Sequence, residues 1–236
     1  MNAYPKITMI TSLIGDPTRA AMLDALMGGH ALPAGELAYI PGVTPQTASS
    51  HLSKLVKGNL IAVEQHGRHR YYRLASQEVA ELMELISTMS PPVQIRSLRQ
   101  SQEMEKVRHA RTCYDHLAGK LGVALTQALI TKGYVAHRSE TEFDVTEQGI
   151  EHFRSLGLGL DLTTMKVNRR IFAKRCLDWS ERIHHIGGFL GAVIAKHFFE
   201  MKWIVRMEGG SRAVRLTEEG RTKLQALYSI AMEDLV

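Results

Sequence analysis

Apolar side chains in the first 90 residues recur at helical spacing in several short segments. Asp16 can accept a hydrogen bond from a free backbone amide as an N-cap, and Pro17 suits the first helical turn. The apolar positions that follow are Ala20, Leu23, Leu26 and Met27. Gly28-Gly29 ends the run. This pattern predicts one amphipathic helix.

A short second helix and a longer third one follow. The second is predicted at about 33–40 in PAGELAYI, and Pro41-Gly42-Val43 supplies a turn. Thr44-Pro45 then repeats the N-cap and first-turn device and opens a helix in PQTASSHLSKLVKGN. Its apolar stripe is Ala48, Leu52, Leu55 and Val56, and its polar side is Gln46, Thr47, Ser50, His51, Lys54 and Lys57. Two helices joined by a tight turn predict a helix-turn-helix.

A strand pair and a closing helix complete this region. LIAVEQ and RYYRLA are predicted strands, and residues 66–69 form the tip at which Gly67 permits a tight turn. The resulting wing presents Arg68, His69 and Arg70. SQEVAELMELISTM then forms a helix that ends at Ser90-Pro91-Pro92. Its broad apolar face contains Val79, Leu82, Met83, Leu85, Ile86 and Met89.

Charge indicates what this region binds. The chain has 29 Lys and Arg against 24 Asp and Glu, a net charge of +5, which suits a polyanion but does not establish one. The segment from His51 to Arg73 contains five Lys or Arg residues and a single acidic residue, Glu64. A basic surface on a helix-turn-helix predicts double-stranded DNA as partner. The predicted contacts are Thr44, Gln46, Thr47, Ser49, Ser50, His51, Lys54, Arg68, His69 and Arg70.

Residues 15–75 resemble the ArsR/SmtB family of winged-helix repressors through DPTRAAMLDAL, AGELA and TPQTASSHLSKLVKGNLIAVEQHGRHRYYRL. The resemblance implies a homodimer on a palindromic operator, released by an effector, with the closing helix in the dimer interface. Ser50 replaces the Arg that often stands beside His in the family, so operator preference should differ. ALPAGELA lacks the cysteine pair of metal-sensing members, and SQEVAELMELISTM lacks their Asp/His ligands. Both family metal sites are therefore expected to be absent, and no metal site is assigned.

The C-terminal half contains two similar segments. CYDHLAGKLGVAL and CLDWSERIHHIGGFLGAVI share Cys-x-Asp and Gly-x-Leu-Gly, and FDVTEQGIEHF matches VRLTEEGRTKL. Each copy reads as an apolar helix, a strand, a polar turn (SETE or EGGS), a second strand and a helix capped by Thr146 or Thr217. We predict two degenerate winged-helix-like repeats at about 112–160 and 174–232. Neither carries a polar, basic recognition helix, so they are expected to sense an effector.

Cys113 and Cys176 occupy equivalent positions in the two copies. A thiol switch and soft-metal ligation with His116, His184 or His185 are functional interpretations; small buried hydrophobic side chains are the simpler alternative. A neighbouring carboxylate should raise the pKa of a thiol, which argues against a reactive thiolate. The candidate effector or redox residues are Cys113, Asp115, His116, Cys176, Asp178, Trp179 and His185.

The sequence thus predicts a mainly α fold with small β-hairpins, of α+β class. Residues 1–90 form the winged helix-turn-helix and dimerisation domain, 91–111 a linker and helix, and 112–236 the sensing domain. The predicted function is a cytoplasmic, dimeric DNA-binding repressor with an unknown small-molecule effector and no certain cofactor. Alternatives are a redox sensor using Cys113 and Cys176, or a protein-interaction module. No catalytic motif indicates an enzyme, and no segment has the length of a membrane span.

Overall fold

The computed structural model describes residues 7–91, 94–158, 171–207 and 211–235. The chain divides into two compact units at Ser87/Thr88, close to the predicted boundary at residue 90. Among the helices of these ranges, none combines the length and apolar character that crossing a bilayer requires. Pro92, part of the predicted helix end, lies outside the described residues.

The first unit is a helical domain with one small sheet. Its helices are α1 (Ile7–Ile14), α2 (Pro17–Leu26), α3 (Ala34–Tyr39), α4 (Pro45–Lys57) and α5 (Gln77–Met89), the last of which extends just past the unit boundary. Its strands are β1 (Leu32–Pro33), β2 (Ile61–His66) and β3 (His69–Leu74), in the antiparallel order β1-β3-β2. The helix-turn-helix is α3–α4, and the wing is β2–β3.

Local sequence explains where these helices begin. Asp16 accepts a hydrogen bond from the Arg19 amide at 2.9 Å, and Thr44 accepts one from the Thr47 amide at 3.2 Å. Both capping residues precede a proline in the first turn, as predicted. The apolar stripes then meet in a core with Leu23, Leu26, Leu37, Ala48, Leu52, Leu55 and Leu74 all buried. The predicted winged helix-turn-helix is therefore confirmed.

The sequence analysis missed α1. Its side chains are mostly exposed, and only Ile14 is buried among its eight residues. Arg19 holds the end of this helix, because its guanidinium donates to the carbonyls of Ser12 and Leu13, each at 2.7 Å. This largely buried arginine thus ties α1 to α2.

The second unit repeats one order of elements. A leading helix, α6 (Leu98–His109), precedes the first copy: β4 (Arg111–Cys113), β5 (His116–Ala118), α7 (Gly119–Thr131), β6 (Val135–His137), β7 (Phe143–Val145) and α8 (Glu147–Ser155). The second copy contains β8 (Lys174–Leu177), β9 (His184–Gly187), α9 (Gly188–Glu200), β10 (Ile204–Arg206), β11 (Val214–Leu216) and α10 (Glu218–Tyr228). A short 3₁₀ turn follows at Met232–Leu235.

The predicted hairpin and Thr-capped helix are present in each copy. Thr146 accepts a hydrogen bond from the Gly149 amide, and Thr217 accepts one from the Gly220 amide, both at 3.0 Å. The Cys-x-Asp segments, for which no structure was predicted, form an additional hairpin before the apolar helix. Of the predicted EGGS turn, residues 208–210 lie outside the described residues, as does the end of the first repeat at 159–160.

The two copies exchange backbone hydrogen bonds at equivalent positions. In one direction the Thr112 amide donates to the Arg212 carbonyl, and the Val214 amide donates to the Ala110 carbonyl, both at 2.9 Å. In the other, the Arg175 amide donates to the Thr141 carbonyl, and the Phe143 amide donates to the Ala173 carbonyl, both at 2.8 Å. Each copy's second hairpin thus extends the first hairpin of the other, around a pseudo-two-fold axis.

A single apolar core joins the copies. It includes Leu121, Leu125, Leu129 and Phe153 from the first copy, and Leu190, Ile194, Phe198, Trp203 and Leu224 from the second. Phe198 and Trp203 are buried in this core and pack with their ring centroids 5.0 Å apart. Both rings therefore contribute to the apolar core.

Candidate functional site

The polar side of α4 forms one exposed surface. Thr44, Gln46, Thr47, Ser49, Ser50 and Lys54 are all exposed, whereas Ala48, Leu52 and Leu55 on the other side are buried. The helix therefore presents small polar groups at its N-terminal end and Lys54 further along. This arrangement suits base edges near the helix start and a phosphate beside the cation.

The wing adds a second exposed group of cations. β2 and β3 pair up to His66 and His69, so Gly67 and Arg68 alone connect the strands. Gly67 has φ of +62°, which a two-residue hairpin connection requires at its first position. Arg68, His69 and Arg70 are exposed. Arg73, counted in the basic segment, instead forms an ion pair with Glu64 across the hairpin.

His51 differs from the other predicted contacts. Its side chain is mostly buried, only 16% exposed, and its Nδ1 lies 3.5 Å from Asp16 Oδ1 and 3.4 Å from an Arg19 guanidinium nitrogen. The imidazole thus connects α4 to the beginning of α2. Its predicted contact with DNA remains a prediction, and only the ring edge away from Nδ1 is available for it.

A second candidate site lies in the C-terminal unit, where the two copies meet. Cys113 and His116 are cross-strand partners in the β4–β5 hairpin, and Cys176 and His185 are cross-strand partners in the β8–β9 hairpin. Each copy therefore contributes one cysteine and one histidine from equivalent hairpin positions. We call these four residues the Cys-His cluster.

The four functional atoms of the Cys-His cluster converge. The two Sγ atoms are 3.9 Å apart, and the two Nε2 atoms are 3.2 Å apart. All four ligand atoms lie within 4.8 Å of one another. Cys113, His116 and His185 are buried and Cys176 is half buried, with no disulfide between the cysteines. Sequence reasoning had selected all four residues but could not show that they meet.

A carboxylate lies behind each histidine. Asp115 Oδ1 is 3.2 Å from Nδ1 of His116, and Asp178 Oδ2 is 3.3 Å from Nδ1 of His185. These contacts favour a proton on Nδ1 and leave Nε2 directed at the cluster. The two predicted aspartates thus act on the histidines and not directly on the thiols.

Asp178 is held in a fully buried network. It accepts hydrogen bonds from the Gly119 amide at 2.7 Å and from the Arg111 guanidinium at 2.9 Å. The Arg111 guanidinium also lies 4.5 Å from the centroid of the Trp179 ring. Trp179 therefore packs on this ion pair. The sequence analysis did not select Arg111, because its ion pair with Asp178 joins residues of the two copies.

Local electrostatics favour charged forms in the cluster. The hydrogen bond from Cys113 and the nearby histidines hold the pKa of the Cys176 thiol well below its ordinary value, although burial opposes this. Burial would lower the pKa of His116, but Asp115 and Cys176 raise it to about 9. The pKa of His185 is likewise raised against burial, by Asp178 and Cys176. The expectation that a carboxylate would raise the thiol pKa omitted these histidines.

The Gly-x-Leu-Gly motifs allow this close approach. A Cβ on Gly122 would lie 2.5 Å from the Leu117 carbonyl oxygen, and one on Gly191 would lie 2.5 Å from that of Ile186. Those positions are also 3.6 Å from the Cβ of His185 and 3.0 Å from the Cβ of His116, respectively. Each histidine thus lies against the helix of the other copy. His184, the other histidine considered, pairs with Leu177 across the hairpin and is not in the cluster.

Comparison with known proteins establishes the family. Residues 14–64 match the family model described as a helix-turn-helix domain. The chain is 46% identical over 217 residues to YdfF of Bacillus subtilis, described as an uncharacterized HTH-type transcriptional regulator; this covers 92% of this chain and 94% of YdfF. The chain belongs to the HTH-type transcriptional regulators.

Two solved structures resemble the N-terminal region of this regulator. The winged helix-turn-helix domain of Mb0332 from Mycobacterium bovis, a possible ArsR-family regulator described as homodimeric, is 24% identical and covers 38% of this chain and 89% of its own, with TM-score 0.34. CmtR from Mycobacterium tuberculosis, described as a cadmium metal-sensor, is 30% identical and covers 38% of this chain and 99% of its own, with TM-score 0.31.

Proposed function

We propose that this regulator is a dimeric repressor whose affinity for a palindromic operator changes when its C-terminal unit senses an effector. The observation that carries the proposal is the exposed polar side of α4 together with the exposed cations of the wing. Lys54 on α4 and Arg68 and Arg70 on the wing are all exposed. Cations at these places bind phosphates and give affinity, while the polar side chains between them read bases.

Exposed apolar side chains on α1 and α5, the first and last helices of the N-terminal region, support the dimer. Ile7 and Met9 of α1 are 69% and 62% exposed, and Leu85 and Met89 of α5 are 58% and 79% exposed. Water contact with so many large apolar side chains is unfavourable, and a second copy would cover them. We propose that α1 and α5 form the dimer interface, with two α4 helices reading the two half-sites.

A titration of operator binding against salt tests the DNA surface. For a dimer, Lys54→Ala removes two phosphate contacts, so the slope of log affinity against log salt should become shallower by about 1.8. Arg68→Ala should weaken binding in the same way. Lys196→Ala, an exposed lysine on α9 in the C-terminal unit, is the matched control. Unchanged affinity and slope in Lys54→Ala and Arg68→Ala would contradict the proposed surface. DNA binding through phosphates must weaken as the salt concentration rises, so failure to observe such salt-dependent binding would favour the protein-interaction module.

We assign effector sensing to the C-terminal unit because its repeats, in the ranges that the structure describes, contain no basic recognition helix and enclose the Cys-His cluster. A thiol switch is the second candidate, favoured by the 3.9 Å separation of the two Sγ atoms. Oxidation by a peroxide would join them in a disulfide, with loss of two protons and two electrons. Band shifts with and without peroxide, compared with Cys113→Ser and Cys176→Ser, test this candidate. An operator affinity that peroxide does not change would exclude the switch.

A further inference from the structure

We propose that the Cys-His cluster binds a zinc-class metal ion in a tetrahedral Cys₂His₂ site. Two thiolates and two neutral imidazoles are a ligand set that selects soft or borderline ions such as Zn²⁺, Co²⁺ or Cd²⁺ over Mg²⁺ and Ca²⁺. All four ligands come from protein, which is typical of sites with a structural or regulatory ion and not of open catalytic sites.

The distances fit a tetrahedron around one ion. With Zn–S of about 2.3 Å, two sulfur ligands lie about 3.8 Å apart, and with Zn–N of about 2.05 Å, two nitrogen ligands lie about 3.3 Å apart. The observed separations are 3.9 Å for Sγ to Sγ and 3.2 Å for Nε2 to Nε2. The sulfur pair and the nitrogen pair therefore have the separations that a tetrahedral ion requires, and the remaining separations, which extend to at most 4.8 Å, would shorten on binding.

The second observation is the orientation of the histidines. Each Nδ1 faces a carboxylate, so in the neutral form of each imidazole the proton is favoured on Nδ1 and the lone pair of Nε2 points into the cluster. The two Nε2 atoms face each other at 3.2 Å, so a cation between them, a proton or a metal ion, is needed to hold them together. A metal-bound imidazole whose other nitrogen donates to a carboxylate is the usual arrangement in metal sites.

Charge balance favours a divalent ion. The ion would neutralise the two thiolates, Cys113 and Cys176, while Asp178 is already paired with Arg111 in the buried network. Binding would release the protons that the sulfur atoms and the Nε2 atoms carry, so the buried site would carry no net charge from the ion and its sulfur ligands.

The ion would join the two copies, because each copy supplies one sulfur and one nitrogen. Its role as the sensed effector rests on the proposed function, whereas its binding does not. In that role the ion would fix the hairpins of the C-terminal unit in one arrangement, and operator affinity would differ between metal-free and metal-loaded protein.

Cobalt substitution tests the site directly. The full chain, reduced with a phosphine and kept anaerobic, is titrated with Co²⁺, and Zn²⁺ is then added. We expect one Co²⁺ per chain, with the visible bands of a tetrahedral ion and a sulfur-to-cobalt charge-transfer band, both abolished by Zn²⁺ but not by Mg²⁺. Cys176→Ser and His185→Gln should remove these bands. His184→Gln, the adjacent histidine outside the cluster, is the matched control and should keep them.

A milder variant keeps the test valid if a ligand variant fails to fold. Asp115→Asn leaves all four ligands in place but weakens the contact to His116, so zinc affinity in competition with a chelating dye should fall about 10- to 100-fold at unchanged stoichiometry. Circular dichroism and the fluorescence of Trp179 and Trp203, both in the C-terminal unit, confirm folding of each variant. Absence of cobalt uptake by the reduced protein, or bands that persist in both Cys176→Ser and His185→Gln, would overturn the site.

Operator band shifts with metal-free and zinc-loaded protein separate the two proposals. Different affinities support the ion as effector. Equal affinities with intact cobalt binding support the site and overturn its regulatory role. Operator binding that changes with peroxide in protein that takes up no metal overturns the metal site in favour of the thiol switch.

Discussion

The buried pair Arg111–Asp178 makes a quantitative prediction about stability. Both side chains are fully buried, with 2.9 Å between nitrogen and oxygen. Removing one partner of such a pair costs about 3–5 kcal/mol, because the other charge stays buried without compensation. In Arg111→Met, Asp178 keeps its hydrogen bonds from backbone amides, among them Gly119 at 2.7 Å. We therefore expect the lower end of the range, about 3 kcal/mol.

Urea unfolding followed by tryptophan fluorescence measures this loss. Both tryptophans of the chain, Trp179 and Trp203, lie in the C-terminal unit, so the signal reports that unit alone. For a urea dependence of about 2 kcal/mol per molar, a loss of about 3 kcal/mol lowers the midpoint by about 1.5 M. The emission of native Trp179 should also change, because the guanidinium lies over its ring.

Arg108→Met is the matched control. Arg108 lies 3.3 Å from Glu181, but its side chain is 41% exposed, so this pair should contribute at most about 1 kcal/mol. The double variant Arg111→Met/Asp178→Asn should lose less than the sum of its single variants, since neither charge is then left alone. If Arg111→Met were no less stable than Arg108→Met, the assigned role of the buried pair would be refuted.

Two further predictions concern α8. In Gly149→Ala the new Cβ would lie 2.0 Å from the Tyr134 carbonyl oxygen, so the backbone must shift and the free energy of unfolding should fall by about 1–3 kcal/mol, measured by the same urea assay. Burial, with a smaller effect of Lys132, lowers the pKa of His152, which stacks on Tyr134. At His152 the unfolded chain then binds protons more readily than the folded chain, so the contribution of this residue to stability should fall as the pH drops from about 7 to 5. The stability of wild type relative to His152→Gln should fall over the same range.

One neighbouring exposed residue provides both controls. Gln148→Ala should change the free energy of unfolding by less than about 0.5 kcal/mol, because Gln148 is exposed on the same helix. A Gly149→Ala protein as stable as Gln148→Ala would show that the helix can move without cost. Gln148→Ala, which removes no titratable group, also serves as the control for the pH dependence. Equal pH slopes for wild type and His152→Gln would remove His152 as the source.

Short-range signals made the first unit predictable. Asp16-Pro17 and Thr44-Pro45 mark helix starts, and Gly67 marks the hairpin tip, so each element is encoded within a few residues. The contact of His51 with Asp16 was not predictable, because it joins two helices through the tertiary fold. Helix α1 was missed for a different reason: it buries only Ile14, and the arginine that holds its end, Arg19, lies nearby in the next helix.

The Cys-His cluster was only partly predictable. Equivalent positions of Cys113 and Cys176 in two copies indicated equivalent roles, and the adjacent His116 was visible in the sequence. That His185 pairs with Cys176 depends on hairpin register, with Asp178–Ile183 forming the connection. That the two hairpins meet depends on the exchange between copies, which no local pattern encodes.

The exchanged backbone hydrogen bonds have a consequence for synthesis of the chain. The Phe143 and Thr112 amides of the first copy donate to the carbonyls of Ala173 and Arg212, both in the second copy. The first copy therefore cannot complete its hydrogen bonding while the ribosome has made only that copy. Folding of the C-terminal unit must follow release of nearly the whole chain, after the DNA-binding unit has already folded. A truncated nascent protein would then contain a folded DNA-binding unit without the C-terminal unit through which the proposed effector acts.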